Sequence, residues 1–514
     1  MPSRKRPIKV GRYLAWTGAV LFALLLLAGI ILAVQWPFTQ EELVRTLEHL
    51  SSSTVRVGTF RQTFFPNPGY VAEDTTFSRK SKAGFIELAS VKRLECRASW
   101  TAMLTFTRRV QEMRIGALHV SIPAAVPPPM KLYPWLKEET TVTTLVADGT
   151  VLEIAPRHAG GRSLRFDFPQ LKLGEVENKK SITVRTVVHN PEPPGNIAVT
   201  ARFGPLNQGN VGRTRLSGAF DFTQGDLSAF HIIKGMLASH GTFQGTLAHC
   251  EARGNVLIPD FEVTSSRHKV GLSAEFHTIV DGLRGDVIIQ SANVHLLHTT
   301  LQASGSIGSA PRRNGKSVAL DITAQRARIE DLLRLFVTAD RPPLDGPITL
   351  RAKVAMPPGN ERFMRKLHID GSFKISDARF THQNTQRKVD ELSKRARGRK
   401  AKKNSSNPQH VLSDMEGHVH MRNAVAMLSQ ASFAASGAVA RGEGSFDLLT
   451  EQINLHGKLA MQASLSKAAG GFKSILLLPL DPFFKKQHAG AVLPVRVTGT
   501  YAHPVFKVSL TGKK

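Results

Sequence analysis

Most of this chain consists of short runs in which apolar and polar residues alternate. In residues 297–307, for example, every second position is apolar or small and the positions between them are polar. A period of two is typical of a β-strand with one dry face and one wet face. Further stripes begin at Val318, Ile348 and Leu367, and the longest begins at Ile453. A long succession of such strands must cover its dry face, and the nature of that cover decides the role of the chain.

A long uncharged apolar segment, Tyr13 to Phe38, precedes the strands, and residues 1–12 contain five Lys or Arg residues and no acid. At ~1.5 Å per residue the segment is long enough to span a bilayer, and the preceding cations place that end in the cytoplasm. We therefore predict a basic cytoplasmic tail at 1–12, a single-pass membrane helix at 13–38 and the bulk of the chain beyond the membrane. A cleaved signal peptide is the alternative, although its apolar region is normally shorter.

The chain is strongly basic, with a net charge of +28. Such a surface favours anionic partners, among them phospholipid headgroups and the phosphates of lipopolysaccharide. A basic soluble surface with no specific partner is the alternative. The two cysteines, Cys96 and Cys250, form neither a disulfide framework nor a metal-binding motif. We expect two buried free thiols, and a single bridge between them is the alternative in an oxidising compartment.

Helical segments interrupt the strand pattern at four places. A capping box at Thr39–Glu42 opens a helix that leaves the membrane. Asp226 is expected to cap a second helix that includes Leu237, and a third is expected over Ile329–Phe336. The fourth, within Ser464–Gln487, mixes apolar residues with lysines. It is expected either to plug the end of the sheet or to lie at a membrane interface.

One region lacks a periodic apolar stripe. Arg387 to Lys403 contains nine Lys or Arg residues and two acids, which predicts a solvated, disordered insertion. An electrostatic contact with an anionic membrane or cell-wall polymer is the alternative. Proline-rich Pro123–Pro134 is expected to link an N-terminal sheet segment to the rest. Beyond the membrane helix we predict an N-terminal segment at 39–130, a β-groove region at 131–380, a basic insertion at 381–410 and a C-terminal region at 411–514.

The sequence contains no recognisable catalytic, metal-binding or nucleotide-binding motif. His295 and His298 fall on opposite faces of a strand, and no third ligand is indicated for His418 and His420. There is no nucleophile elbow and no P-loop. We therefore predict that the chain is not an enzyme, that it holds no cofactor and that it has no catalytic or metal-binding residues.

Several segments, in order along the chain, resemble the AsmA family. After the predicted membrane helix come Thr54-Val-Arg-Val-Gly58 and Thr63-Phe-Phe-Pro-Asn-Pro-Gly69. Near the end, Asp481-Pro-Phe-Phe484 and Leu493-Pro-Val-Arg-Val-Thr-Gly-Thr500 resemble the AsmA-like C-terminal region. The resemblance covers most of residues 12–512, and the basic segment departs from it.

The resemblance implies a protein anchored in the inner membrane of a diderm bacterium, with its N-terminus in the cytoplasm and its bulk in the periplasm. It implies a mostly β fold, an elongated, curled antiparallel β-groove with a few short helices, similar to the eukaryotic bridge-like lipid-transfer proteins. Phospholipid acyl chains would lie in the groove, and the protein would contribute to outer-membrane lipid supply and biogenesis. The expected partners are lipid chains, the inner membrane and a further periplasmic or outer-membrane protein, with no nucleic acid.

Lipid tails would then cover the dry face of the strands. The predicted groove lining consists of inward residues of the clearest stripes: Leu301, Ile322, Leu350, Val354, Phe373, Leu455 and Leu459. Two other hypotheses stay open. One is a non-enzymatic periplasmic scaffold for outer-membrane protein assembly, in which one sheet covers another. The other is a basic module that binds cell-wall or lipopolysaccharide phosphates. A continuous accessible apolar face would favour the lipid hypothesis.

Overall fold

The runs of alternating apolar and polar residues form β-strands. The described residues contain 26 β-strands and five short α-helices. The fold is mostly β, as predicted. The computed structural model describes residues 38–51, 53–81, 84–104, 109–122, 141–154, 163–177, 181–205, 207, 210–309, 316–359, 361, 363–397, 411–462, 492–500 and 503–508. The chain divides into two compact units, one of Met1–Ala155 and Pro169–Lys180, the other of Pro156–Phe168 and Ser181–Lys514.

The first unit is a set of paired strands with a helix against one face. Its helices are α1 (Gln40–Ser51) and α2 (Trp100–Leu104), and its strands are β1 (Thr54–Arg56), β2 (Thr59–Thr63), β3 (Gly69–Ser81), β4 (Gly84–Ala98), β5 (Arg109–Ile122), β6 (Thr141–Ile154) and the later part of β7 (Leu164–Glu177). Strands β1 and β2 each pair with β3, and β3, β4 and β5 pair in antiparallel order.

Helix α1 begins where the capping box predicts. The backbone N–H of Glu42 donates to Thr39 Oγ1 at 3.3 Å, which satisfies one of the free donors at the helix start. On the apolar side of the helix, Leu43 packs in a cluster with Tyr70 and Cys96. These two sheet residues are 8% and 2% exposed. The part of the sheet that α1 covers is therefore almost fully buried at these two residues.

The predicted membrane span at 13–38 lies outside the described residues, apart from its last residue. Phe38 is 9% exposed, and its ring centroid lies 6.1 Å from that of Tyr70. Phe38, predicted as the last residue of the membrane helix, therefore belongs to the core of the first unit instead, where it packs with Tyr70. None of the helices among the described residues is long and apolar enough to cross a bilayer.

One strand pair departs from the predicted antiparallel order. Strands β5 and β6 are parallel, with Arg109 opposite Thr141 and Ile122 opposite Ile154. A parallel pair needs a connection of roughly a dozen residues or more, and residues 123–140 supply that length. The proline-rich segment therefore connects two strands of the same unit.

Both cysteines are buried free thiols, as predicted. Burial raises the pKa of Cys96 to about 12, although its hydrogen bond with Tyr70 acts in the opposite direction. Burial also raises the pKa of the Tyr70 hydroxyl well above its usual value. The pair thus remains neutral inside the first unit.

We expect Cys96 to resist alkylation by iodoacetamide at pH 8 while the protein is folded. With a pKa of about 12, roughly one thiol in ten thousand is ionised at that pH, and the thiolate is the reactive form. Mass spectrometry should find Cys96 modified in denaturant and unmodified in buffer over the same time. Fast labelling of Cys96 in buffer would contradict its burial against Tyr70.

The second unit is an antiparallel sheet in which each long strand pairs with the next. Its strands are β8 (Ile182–Pro191), β9 (Pro194–Phe203), β10 (Arg215–Asp226), β11 (Ile233–Lys234), β12 (Met236–Thr246), β13 (His249–Val263), β14 (Lys269–Asp281), β15 (Asp286–Leu296), β16 (Thr299–Ser309), β17 (Lys316–Arg328), β18 (Leu344–Asp345), β19 (Pro347–Met356), β20 (His368–Phe380), β21 (Ser413–Arg422), β22 (Val425–Ala435), β23 (Ala438–Asp447), β24 (Gln452–Met461), β25 (Val492–Thr500) and β26 (Pro504–Val508). Its helices are α3 (Ile329–Leu333), α4 (Phe363–Lys366) and α5 (Gln383–Ala396), with 3₁₀ turns at Val211–Arg213 and Leu227–Phe230.

Neighbouring strands run in opposite directions, so the strand ends and their turns lie along two long sides of the sheet. We call these two sides edges; the term does not refer here to the first and last strands. We call the edge at which β15, β17, β20, β22 and β24 end the helix edge, since α3 follows β17 and α5 follows β20 there. The edge at which β14, β16, β19, β21 and β23 end is called the opposite edge. Many buried side chains lie along the helix edge, among them Leu296, Ala327, Ile348, Ala378, Ala438 and Met461.

The helices predicted after Asp226 and Ile329 are shorter than expected. Asp226 caps a 3₁₀ turn, since its side chain accepts the N–H of Ser228 at 2.8 Å. Leu237, however, lies in β12, because the chain returns to the sheet at Ile233 in β11 and continues as β12 from Met236. Phe336 lies beyond the end of α3. The helix predicted within Ser464–Gln487 falls outside the described residues.

The structure differs from the predicted disorder in the first part of the basic segment. Residues 383–396 form α5, while 398–410 lie outside the described residues. The buried face of α5 consists of Gln386, Val389, Asp390, Ser393 and Ala396. These positions recur every three or four residues, as in a helix, but most are small or polar. No apolar stripe therefore indicated the helix in the sequence.

Hydrogen bonds from buried polar side chains hold α5 against the helix edge. Gln386 Nε2 donates to the carbonyl oxygen of Val411 at 3.0 Å, and Gln386 Oε1 accepts the N–H of Phe380 at 2.9 Å. Ser393 Oγ donates to the carbonyl oxygen of Ser436 at 2.6 Å. The helix is therefore attached both to the end of β20 and to the turn between β22 and β23.

Six strands that run toward the helix edge contain a one-residue bulge. In β17, Ala324 pairs with Leu350 and Ala327 pairs with Ile348, so a step of three residues in β17 matches a step of two in β19. Equivalent shifts lie in β10, β13, β15, β20 and β22. A bulge bends its strand and increases the local twist. The sheet of the second unit is therefore curled by a device that recurs on alternate strands.

Candidate functional site

Cross-strand pairing in the second unit joins residues from sixteen strands into one continuous line, which we call the apolar row. It starts in β8 and ends in β25. In order it contains Val184, Ala201, Gly218, Phe243, Ala252, Thr278, Ile289, Gly305, Leu320, Val354, Ile369, Met421, Ala426, Phe446, Ile453 and Gly499. Thr278 is its one polar member. With about 4.8 Å between strands, the row extends over roughly 70 Å of sheet.

A second line of residues lies beside the apolar row, one step closer to the helix edge. This second row contains Ala292, Ala303, Ile322, Ala352, Gly371, Val419, Leu428, Gly444, Leu455 and Val497. Every member is apolar or glycine. From β15 to β25 the two rows together form an uninterrupted apolar strip.

Most side chains of the apolar row are half-buried and keep part of their surface accessible, whereas Met421 and Thr278 are 3% and 8% exposed. Leu320, Val354 and Ile453 are examples of the half-buried side chains, and the residues before and after each of them on the strand are exposed. In the first unit, where α1 covers the sheet, Tyr70 and Cys96 are 8% and 2% exposed. Neighbouring side chains on the sheet therefore cover the flanks of these apolar side chains, and their tips stay accessible to solvent.

Near the helix edge, the same face is covered by the two helices. Ile329 and Leu332 of α3 pack against a buried cluster that includes Ile348. Ala396 of α5 is buried in another cluster with Leu459. The apolar face is thus covered along the helix edge and mostly half-buried toward the opposite edge. Near α4 the opposite edge is buried as well, since Met364, Leu367 and Met421 are 5%, 6% and 3% exposed.

The seven residues predicted to line a groove all lie on this face, but their surroundings differ. Three belong to the apolar row or the second row: Ile322, Val354 and Leu455. Three pack against the cluster that α3 covers: Leu301, Leu350 and Phe373. The seventh, Leu459, is 6% exposed and packs beside Ala396 of α5. The accessible surface is therefore nearer the opposite edge than the sequence stripes indicated.

Sequence reasoning did not select Ile289, Ile369, Met421 and Phe446, although all four belong to the apolar row. Each stands in an alternating run, so its strand could be predicted from local sequence. Its place in the row depends on the register between strands, which the bulges shift by one residue at a time. To find these residues, one would need to know which positions on different strands lie opposite each other.

Glycines on the apolar face are crowded by the backbone of the paired strands, whereas glycines on the polar face are not. A Cβ added to Gly254 would overlap the carbonyl oxygen of His240 on the paired strand. The same overlap with a neighbouring backbone oxygen occurs at Gly218, Gly241, Gly245, Gly305, Gly371, Gly442, Gly444 and Gly457. On the polar face, the nearest atom to an added Cβ is 3.9 Å away at Gly271 and 3.5 Å away at Gly308. Since Cβ atoms converge on the concave side of a bend, we infer that the crowded apolar face is the inner one.

Phenylalanine rings fill the space beside some of these glycines. Phe220 pairs with Gly241, and Phe276 pairs with Gly254. A Cβ added to either glycine would lie 2.9 Å from Phe220 Cε1 or 3.0 Å from Phe276 Cζ, respectively. The rings therefore lie along the sheet over the glycines, a packing that keeps the inner face both shallow and apolar.

The other face of the same strands is polar and charged. On β20, Asp370 lies 2.9 Å from His420 Nδ1 and 3.4 Å from His418 Nε2 of β21. The hydrogen bond with His420 is the main reason why the pKa of Asp370 lies below its usual value. Exposed Arg351 and Lys353 lie on the same face of β19. The sheet thus separates an apolar inner face from a charged outer face.

No family model, curated protein or solved structure matches this chain. The resemblance to the AsmA family therefore rests on the sequence motifs alone, and the function has to be inferred from the two faces of the sheet.

Proposed function

We propose that the inner face of the second unit binds the acyl chains of phospholipids. The observation that carries the proposal is the apolar row, which passes through sixteen strands without a charged residue and keeps accessible surface at most of its positions. One acyl chain is about 15 Å long, half the thickness of the hydrocarbon core of a bilayer. The row is several times longer than that, so it offers a path for lipid and not only a pocket.

Binding in this proposal is passive. Each methylene removed from water contributes ~0.8 kcal/mol, so an acyl chain leaves a bilayer at little cost only where most of its length is covered. The glycines and flat phenylalanine rings provide a smooth surface for such contact. The headgroup stays in water beyond the opposite edge, where α4, with four residues, is the one α-helix of the second unit among the described residues. The proposal requires no catalytic residue and no cofactor.

We place the protein in the inner membrane of a diderm bacterium, as an AsmA-like carrier or bridge with its bulk in the periplasm. The support is the apolar run after a basic tail in residues 1–38 and the ordered sequence resemblance. Since Phe38 packs in the first unit, the membrane span would end before this residue. In this location the inner face would contribute to lipid supply and biogenesis of the outer membrane.

A photo-crosslinking pair tests the proposal in cells. We expect benzoylphenylalanine at Val354 to label phospholipid at least about tenfold more than benzoylphenylalanine at Ala355. The two positions are adjacent on β19 but lie on the inner and outer faces. A tenfold preference corresponds to ~1.4 kcal/mol, less than the burial of two methylenes provides. Radiolabelled phosphate in the crosslinked product, detected on a denaturing gel, is the measurement.

Two results would count against lipid binding. Equal lipid labelling at the two positions would show that the inner face has no preference for acyl chains. Crosslinks from position 354 to another protein, with no lipid, would instead favour the scaffold hypothesis, because a protein surface would then cover the row.

A further inference from the structure

The outer face of the second unit contains an open cleft at the opposite edge. Its volume is about 590 Å³, and it is lined by residues of β9, β10, β12 and β13 together with Ser181. The cleft lies where β9 and β12 end and β10 and β13 begin. It therefore shares the strands of the apolar row, and its polar lining residues lie on their other face. Leu216 and Gly245, which also line it, belong to the face of the apolar row.

The register of the strands determines which polar groups meet in the cleft. One cross-strand line contains Arg202, Ser217, Gln244 and Glu251. The next line toward the edge contains Arg215, Thr246 and His249. All of these residues line the cleft, so cations and neutral donors outnumber the single carboxylate.

Two arginines of the cleft have no ion-pair partner among the residues that the structure describes. Within the described part of the chain, neither Arg202 nor Arg215 forms an ion pair, whereas Glu251 lies 3.7 Å from Arg253 Nη2 and 3.8 Å from His277 Nε2. The two arginines are diagonal neighbours on adjacent strands, about 7 Å apart at the backbone. Like charges at this spacing repel each other unless an anion lies between them.

We infer that this cleft binds a phosphate group. Each guanidinium offers a planar pair of N–H donors that matches phosphate oxygens, and two of them side by side suit a group with several oxygens. Ser217, Gln244 and Thr246 add neutral hydrogen-bond donors around the same space. The phosphate belongs either to a small soluble ester or to the headgroup of a lipid. The inference does not depend on lipid in the inner face, because the two arginines and the neutral donors of the cleft lie on the outer face.

Calorimetric titration of the full chain in phosphatidylcholine nanodiscs tests the inference. Glycerol 3-phosphate and dihexanoyl phosphatidylglycerol are the two probes, and we expect at least one of them to bind saturably. Arg202→Gln and Arg215→Gln should each weaken that binding at least tenfold. Arg351→Gln removes the same charge from the outer face of β19, away from the cleft, and should change the affinity less than twofold. Arg202→Lys, which keeps the charge but loses the planar fork, should give an intermediate loss.

The two probes distinguish the sources of the phosphate. Arginine-dependent binding of the soluble ester assigns the cleft to small phosphate esters, and arginine-dependent binding of the lipid alone assigns it to a headgroup. Equal weakening by Arg351→Gln and Arg202→Gln would overturn the inference, since net charge alone would then explain binding. Absence of saturable binding of both probes to the folded protein would overturn it as well.

Discussion

Gly254→Ala is expected to lower the free energy of unfolding by about 3 kcal/mol. The added Cβ would overlap the carbonyl oxygen of His240 and lie 3.0 Å from Gly241 Cα, and both of these atoms belong to the backbone of the paired strand. Backbone cannot move aside as a flexible side chain can, so β12 and β13 would have to separate at this point. Denaturant unfolding of the full chain, followed by circular dichroism, measures the change.

Gly271→Ala is the matched control on the neighbouring strand β14. At this position the nearest atom to an added Cβ is the carbonyl oxygen of Pro259, 3.9 Å away, and the outer face has room for a methyl group. We expect a change within about 0.5 kcal/mol, with a small gain from the stiffer unfolded chain. If both variants lost the same stability, crowding on the inner face would not be the cause, and the inner face could not be identified from its glycines.

Gln386→Ala is expected to release α5 from the helix edge at a cost of about 3 kcal/mol. Gln386 is 2% exposed, so its loss leaves the N–H of Phe380 and the carbonyl of Val411 without a partner in a site that water reaches poorly. Asp390, whose Oδ1 accepts both Gln386 Nε2 at 3.0 Å and the N–H of Val411 at 2.8 Å, loses one of these two donors. Hydrogen exchange over residues 383–396 and trypsin cleavage at Arg387 should both increase.

Gln383→Ala provides the comparison for this variant, because Gln383 is exposed at the first position of the same helix. It should leave both hydrogen exchange and cleavage close to those of the unmodified chain. Unchanged protection in Gln386→Ala would show that Ser393 and the apolar contacts of Ala396 hold the helix without the buried amide.

The strands of the second unit could be predicted from sequence because their signal is local. The stripe that begins at Ile453, for example, forms β24, and alternation within one strand is enough to identify it. Helix α5 could not be predicted in the same way, since its buried face contains Gln386 and Ser393. Their burial is acceptable only because Val411 and Ser436, distant in sequence, supply hydrogen-bond partners. A polar face that is satisfied by tertiary contacts is indistinguishable in sequence from a solvated one.

The candidate site could be predicted only in part for a related reason. Val354 and Leu459 stand in equally clear stripes, yet one lies in the apolar row and the other is buried beside α5. Which end of a strand a helix covers is decided by connections elsewhere in the chain. The parallel pairing of β5 and β6 depends on chain connections in the same way, because alternation is the same in parallel and antiparallel strands that have one wet face.

The bulges on alternate strands limit how a sheet of this kind can change length during evolution. From β12 to β23, most two-strand repeats contain one bulged strand and one regular strand, so duplication or loss of a whole hairpin leaves the pairing on both sides intact. Gain or loss of a single strand would reverse the direction of every later strand and move its turns to the other edge. Related proteins of different length should therefore differ by whole hairpins, and the apolar row should lengthen in steps of about 10 Å.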